Sequence, residues 1–361
     1  MIECGMRIAD RGVPVVDWLL ELENPSVRYF TLVELLGKRV GNQDVIEAKS
    51  RIMTEGPVPR ILSRMKPPGY WGKAEDYYVG AKYKGTVWNI ILLASLGADG
   101  RDKRVRAAAE FVIRYAQDPE SGGFACRGGP KGGRHDSVIA CLTGNMTWSL
   151  IRFGMLDDPR VQRAIAWIVK YQRYDDGETR PAAVWPYDGR ERCWGRHTCH
   201  NSVVKTLRAL AEIPTGQRSP AVRHKIEQAA EHLLRHHIFK RSHDLRRVSI
   251  SYWTRFGAPA MWDCDCLEIL EILTRLGFQD PRMQAAIDLV RKKQGEDGRW
   301  LQEGRFTDRL LVRLERNGRP SRWVTLRALT VLARLGQLAG PARALAGGRR
   351  TALLQNTGTS V

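Results

Sequence analysis

The sequence predicts an all-α protein built from six helical hairpins, and three observations carry that prediction. The first is a repeat, which points to modular architecture. Six apolar phrases, SVRYFTLVELLG, GTVWNIILLASLG, TGNMTWSLIRFG, NSVVKTLRALAEIP, CDCLEILEILTRLG and SRWVTLRALTVLARLG, end on Gly37, Gly97, Gly154, Pro214, Gly277 and Gly336, at intervals of 60, 57, 60, 63 and 59 residues. The second is the segment after the breaker: a short acidic or polar turn, then an amphipathic run such as DDPRVQRAIAWIVKYQ, SPAVRHKIEQAAEHLLRHH or QDPRMQAAIDLVRKKQ. The third is the near absence of period-two alternation, the signature of strands.

Taken in order, the first helix of each unit is apolar around its circumference and belongs inside. The second carries a charged stripe and belongs outside. The Asp-Pro and Ser-Pro pairs before the second helices supply an N-cap and a proline whose missing N–H costs nothing in the first turn. Residues 1–24 form an N-terminal segment, residues 25–336 the repeat domain, and residues 337–361, where the period is lost, a tail. Periodicity alone leaves an open solenoid and a closed ring both standing.

Composition narrows the partners. The formal charge of +19 favours anionic ligands. The basic residues are scattered, with no lysine run and no nucleic-acid motif, so nucleic acid is set aside. The N-terminus lacks an apolar signal core, and the longest nearly apolar stretch, IILLASLGA, is too short to cross a bilayer. A cytoplasmic protein is therefore expected, with peripheral membrane contact or a protein partner left open. Seven cysteines, odd in number and unevenly spaced, point to free thiols or metal ligands rather than to a disulfide framework.

The linkers carry a resemblance. QGEDGRW at 294–300 resembles the Q-x-x-x-G-x-W repeat of squalene cyclases, and PPGYWG at 67–72 looks like a degenerate copy. QDPESGGFACRGGPKGGRH at 117–135 is similar to the Gly-Gly-Phe linkers of protein prenyltransferase β subunits, and RHTCH at 196–200 resembles a helix start of those subunits. The resemblance spans residues 25 to 336 and implies the closed (α/α)6 toroid of the terpenoid cyclase and prenyltransferase superfamily, with inner and outer helix rings. The Gly and Trp of these linkers are expected to tie each outer helix to the next inner one and to say little about chemistry.

In a toroid the inner-helix N-termini would share one mouth, whose partial positive charges suit an anion. Lys84, Arg134, His135, Arg196 and Arg322 are placed there as substrate-binding residues, with Trp88, Trp148, Trp262 and Trp323 offering π-faces to a carbocation. Class II terpene cyclases carry D-x-D-D at an inner-helix start, whose middle acid protonates an alkene or epoxide. Asp263, Cys264, Asp265 and Cys266 resemble that motif with its last aspartate replaced by cysteine. Asp265 would be the acid and Asp263 its neighbour, because two adjacent carboxyls near a dry cavity raise one pKa. Helix capping by either aspartate is the plain alternative. His243 with Asp244 is a candidate acid/base pair. The single set of hairpins departs from class II cyclases, which hold substrate between two helical domains.

The resemblance to protein prenyltransferases also raises zinc. Cys193, His197 and Cys199, with Cys126 from the preceding linker, offer thiolate and imidazole ligands. His197 resembles the family's zinc histidine, and Asp265 with Cys266 is a loose counterpart of the other two ligands, in reversed order. The expected function is isoprenoid handling, by cyclisation through protonation with Asp265 as acid. Zinc-dependent prenyl transfer and a non-catalytic ring binding an acidic ligand or protein are the alternatives. The expected ligand is a hydrophobic or isoprenoid small molecule with an anionic head group.

Overall fold

In the computed structural model, the breakers of the repeat are helix caps. Gly37, Gly97, Gly154, Gly277 and Gly336 all sit at positive φ, between 67° and 88°. The residue after the glycine donates its N–H back to the last turn, as in Ala98 to Leu93 (3.0 Å), Phe278 to Leu273 (3.0 Å) and Gln337 to Leu332 (2.8 Å). That is the Schellman closure, which glycine permits because it has no Cβ to clash in the left-handed region.

The structure describes residues 14–304 and 307–338. In chain order the helices are α1 (Pro14–Leu19), α2 (Pro25–Phe30, continued by a π-helical turn Thr31–Leu35), α3 (Gln43–Ile52), α4 (Pro57–Leu62), α5 (Thr86–Ser95), α6 (Lys103–Ala116), α7 (Ala140–Arg152), α8 (Pro159–Tyr171), α9 (Glu191–Trp194), α10 (His200–Glu212), α11 (Pro220–Arg235), α12 (Cys266–Arg275), α13 (Gln284–Lys292) and α14 (Arg322–Arg334). Two small antiparallel ribbons, β1 (Gly128–Gly129) with β2 (Gly132–Gly133) and β3 (Lys240–Arg241) with β4 (Asp244–Val248), sit in linkers. The protein is mostly helical, as its sequence predicts. The N-terminal segment before residue 14 and the tail after residue 338 lie outside the described residues.

The inside–outside contrast holds. In α5 every residue from Thr86 to Ala94 is buried, whereas α8 buries only Val161, Ala164, Ile165, Trp167 and Ile168. Packing runs α5 on α7, α7 on α10, α10 on α12, α12 on α14, and α14 on α2 and its π turn. Outside, α3, α6, α8, α11 and α13 pack on α2, α5, α7, α10 and α12 respectively. Among the described residues α14 has no following outer helix; α1 from the chain start packs on it instead. The DPR motif repeats as a joint: Asp158 caps α8 while Arg160 grips Glu110 of α6 (2.7 and 2.8 Å), and Asp280 caps the turn before α13 while Arg282 grips Glu231 of α11 (2.8 and 3.0 Å).

The linkers dock as the repeat implies. Trp71 and Trp300, both fully buried, donate their indole N–H to Ile61 (2.8 Å) and Val290 (2.7 Å) in the preceding outer segment. Their backbone N–H groups, with that of Phe124, donate to Thr86 (3.2 Å), Thr325 (3.0 Å) and Thr143 (2.9 Å) of the next inner helix. These aromatics satisfy backbone groups and fill core, so their role is to join helices.

Candidate active site

Residues from six helices line one hollow of about 130 Å³. Its lining includes Phe30 and Glu34 beside Ser95 of α5, Trp148 and Arg152 of α7, Arg208 of α10, Glu271 and Arg275 of α12, and Trp323, Arg327 and Arg334 of α14. The sequence places the mouth at the inner-helix N-termini; the structure puts much of the lining on the later turns instead. Ala258, Pro259 and Ala260 of the segment 256–261 also line the hollow. The segment is clamped by Asn145 donating to Met261 O (3.3 Å), by Gln302 bonding both backbone groups of Ala258 (3.0 and 2.7 Å), and by Arg327 donating to Gly257 O (2.8 Å).

Apolar surface makes up most of this hollow's lining, but a set of charged side chains runs through it. Arg152 pairs with Glu212 (3.2 Å), Glu212 with Arg275 (2.9 Å), Arg275 with Glu34 (3.3 Å) and Glu34 with Arg334 (2.5 Å), a chain of ion pairs crossing five elements. Arg152, Arg275 and Arg334 lie in the last turns of their helices, where a cation complements the unpaired carbonyls. The sequence does carry a signal for them: these three and Glu212 stand two positions before their breakers. Glu34 stands three before its own, and the π turn, with Leu36 N–H reaching Thr31 O (2.9 Å), absorbs the extra residue.

Asp265 is the N-cap of α12. Its carboxylate accepts from the N–H of Glu268 (2.7 Å) and of Gly257 (3.0 Å) and from Arg327 (3.3 Å). Burial pushes its pKa up, opposed by the Arg327 charge and reinforced by Glu268. Glu271 meets the other side of the same guanidinium (2.8 Å). Burial would raise Glu271 too, but Arg327, with Arg334 and Arg208, holds it below the usual carboxylate range. One guanidinium thus serves two carboxyls whose environments drive them apart. Asp265 does not line the hollow. It lines a pocket of about 40 Å³ with Tyr252, Asp263 and Glu303, and Ala258, Pro259, Ala260 and Glu268 wall both spaces.

Of the nine substrate-binding residues read from sequence, Trp148 and Trp323 line the hollow. The face of Trp148 carries Arg208, 3.4 Å from the ring centroid. Trp88 is core, stacked on Tyr78 and bonded to its carbonyl (2.9 Å). Trp262 donates to Tyr83 Oη (3.0 Å) beneath Lys82. Arg322 bonds Trp18 O and Glu21 and stacks on Trp18, fastening the chain start to α14. Arg134 pairs with its neighbour Asp136 at an exposed site, His135 bonds Asp118 (2.8 Å) and stacks on Trp185, and Arg196 donates to Gly177 O (3.1 Å). Lys84 is exposed, with its carbonyl holding Asn89. Apart from Trp148 and Trp323, these residues do not line the hollow.

His243 and Asp244 do not pair: Asp244 accepts from Arg246 N–H (3.1 Å), and His243 lines a different cavity. The Cys126, Cys193, His197 and Cys199 ligand set does not gather either. His197 is exposed and bonded to Asp176 (3.2 Å). Burial pushes the Cys193 thiol up to about 11 and raises Cys199. Among the described residues, the only three-ligand cluster of metal-binding side chains is His200, His232 and His236. No helix among them is long and apolar enough to cross a membrane.

No known family model matches the chain. No curated protein matches it. Among solved structures the chain is similar to the type II terpene cyclase MstE from Scytonema. An apo form is 16% identical with a TM-score of 0.40, over 90% of this chain and 86% of that one. A complex with geranylgeranyl dihydroxybenzoate, named as its substrate, is 16% identical with a TM-score of 0.40, over 90% of this chain and 88% of that one. A further apo form is 17% identical with a TM-score of 0.39, over 91% and 88%.

Proposed function

We propose that the chain is a closed toroid whose last inner helix meets its first, and that it is an isoprenoid-handling enzyme that cyclises by protonation, with Asp265 as the acid. The observation that carries this reading is the divided pair at Arg327: Asp265 pushed toward its protonated form, Glu271 held as the carboxylate. Alkenes are such weak bases that only a carboxyl kept protonated near neutral pH serves as the donor. Phe30, Trp148 and Trp323 supply the aromatic part of the hollow, and Arg208 and Arg152 suit an anionic head group. The hollow of about 130 Å³ is smaller than the roughly 300 Å³ at which typical ligand pockets begin, so the substrate is a short prenyl chain. For the proton to reach it, the Ala258–Ala260 wall between Asp265 and the hollow must give way.

Asp265→Asn is nearly isosteric and cannot donate that proton. Turnover of a short prenyl substrate bearing a carboxylate or phosphate head should fall by about 10²–10⁴-fold, with the far-ultraviolet circular dichroism unchanged. Full activity in a folded Asp265→Asn protein would remove Asp265 from the chemistry. The guanidinium content of the hollow also favours the non-catalytic alternative, in which an acidic ligand binds and nothing turns over. Binding of the same substrate without product would select it.

A further inference from the structure

A second cavity, of about 450 Å³, lies outside the hollow and is lined by His200, His232, His236, Asp176, His243 and Trp253 among others. His200 opens α10, while His232 is in the last turn of α11 and His236 caps its end. The i, i+4 spacing sets the last two on one helix face. The three imidazoles are mutual neighbours, with ring centroids 6.0, 5.5 and 4.9 Å apart, and one nitrogen from each lies within 4.8 Å of the other two. His200 and His232 are more than nine-tenths buried, yet His200 Nε2 and His232 Nδ1 have no hydrogen-bond partner. A buried unpaired polar atom costs about 1–3 kcal/mol, so two on neighbouring imidazoles ask for an occupant.

His236 says what kind. Its Nδ1 is 3.0 Å from the carbonyl of Lys240, which makes that nitrogen the donor. In the neutral ring Nε2 then carries the lone pair, and it faces a carboxylate oxygen of Asp176 at 3.3 Å. Two electron-rich atoms at that distance repel unless a cation lies between them or the ring takes a second proton. Ligands bound to tetrahedral zinc at about 2.0–2.1 Å stand ~3.3 Å apart, and their imidazole centroids about 5 Å. The observed ring spacings bracket that value, and small side-chain rotations close the remainder. Carbonyl and carboxylate partners behind ligating histidines are the usual outer support of such sites.

We infer that His200, His232 and His236 form a zinc site whose fourth position opens into the 450 Å³ cavity, where Asp176 orients a bound water or the oxygen of a ligand. Three neutral nitrogens with one open position is the donor set of zinc centres that hold an exchangeable oxygen ligand. His197 meets the same Asp176 oxygen (3.2 Å), Ser242 also bonds this carboxylate, and Arg235 stands 4.0 Å from its other oxygen. The site stands independently of Asp265 and the hollow.

The test is elemental analysis of the purified full chain, stripped with chelator and reloaded with zinc alone. One zinc per chain is expected. His236→Gln, at a partly exposed position, and His232→Ala should each reduce retained zinc at least tenfold, while Cys193→Ser and Cys199→Ser retain it. Circular dichroism of the zinc-free variants checks folding. Cobalt in the wild-type chain provides a readout that needs no variant, and intense tetrahedral visible bands are expected. A wild-type chain that retains no zinc at micromolar free metal, zinc retention unchanged in both histidine variants, or weak octahedral cobalt bands would overturn the assignment.

Discussion

Replacing Glu268 by alanine is expected to cost about 3–5 kcal/mol of folding stability, the range for stripping one partner from a buried ion pair. Lys205 has no solvent exposure, and its ammonium bonds both Glu268 oxygens at 2.7 Å. Glu268 also stands 3.6 Å from Arg208, so the truncation leaves two cations in low dielectric with one counter-charge gone. The favourable part of such a pair is small and the cost of halving it is large. The double replacement Lys205→Met with Glu268→Leu should therefore recover most of the loss. Denaturant midpoints of the wild type, Glu268→Ala and the double variant check this. Equal losses in the single and double variants would mean that the pair is not what holds α10 to α12.

Gly144→Ala is the second large effect. A Cβ built on Gly144 falls 2.5 Å from the carbonyl carbon of Lys205 and 2.7 Å from the nitrogen of Thr206, all backbone, so nothing flexible can step aside. Helices α7 and α10 touch here without intervening side chains. The added methyl should cost about 3 kcal/mol or more by forcing the helices apart. It would also displace Lys205 from Glu268. Gly154→Ala is the control, because a Cβ there meets nothing within 4 Å and only its φ of +76° is strained. That change should cost about 1 kcal/mol. Thermal melts of both variants in parallel separate the two causes; a Gly144→Ala loss no larger than that of Gly154→Ala would show that the close helix contact gives way easily.

Much of the helical framework is legible in the sequence because local chemistry specifies it. Glycines at a 60-residue spacing are the left-handed caps of α2 with its π turn, α5, α7, α12 and α14, and the DPR triplets are N-caps joined to the neighbouring outer helix. Asp265 is likewise legible as a cap, since an aspartate before an apolar run has one simple local use. What the sequence conceals is pairing between distant units. Arg275 and Glu34 are 241 residues apart and Arg334 and Glu34 are 300 apart, and only the assembled helices bring them together. Of the cations assigned to a mouth, Arg134 and Arg196 bond nearby loop residues, whereas Arg322 reaches Trp18 and Glu21 some 300 residues away. His232 is hidden inside the EHLLRHH end of an amphipathic helix, where charge near a C-terminus already explains a histidine. Its i, i+4 spacing to His236 is the signal that could have found it.

The most direct measurement of the proposed chemistry is mass spectrometry of the product formed in deuterium oxide. Protonation of an alkene by Asp265, ring closure and loss of a different proton give an isomer of the substrate that keeps one solvent-derived deuterium on carbon. That isomer, with one deuterium, is expected from the wild-type chain and at least about a hundredfold less of it from Asp265→Asn. A product without deuterium, or one that has lost its head group, would contradict protonation-driven cyclisation.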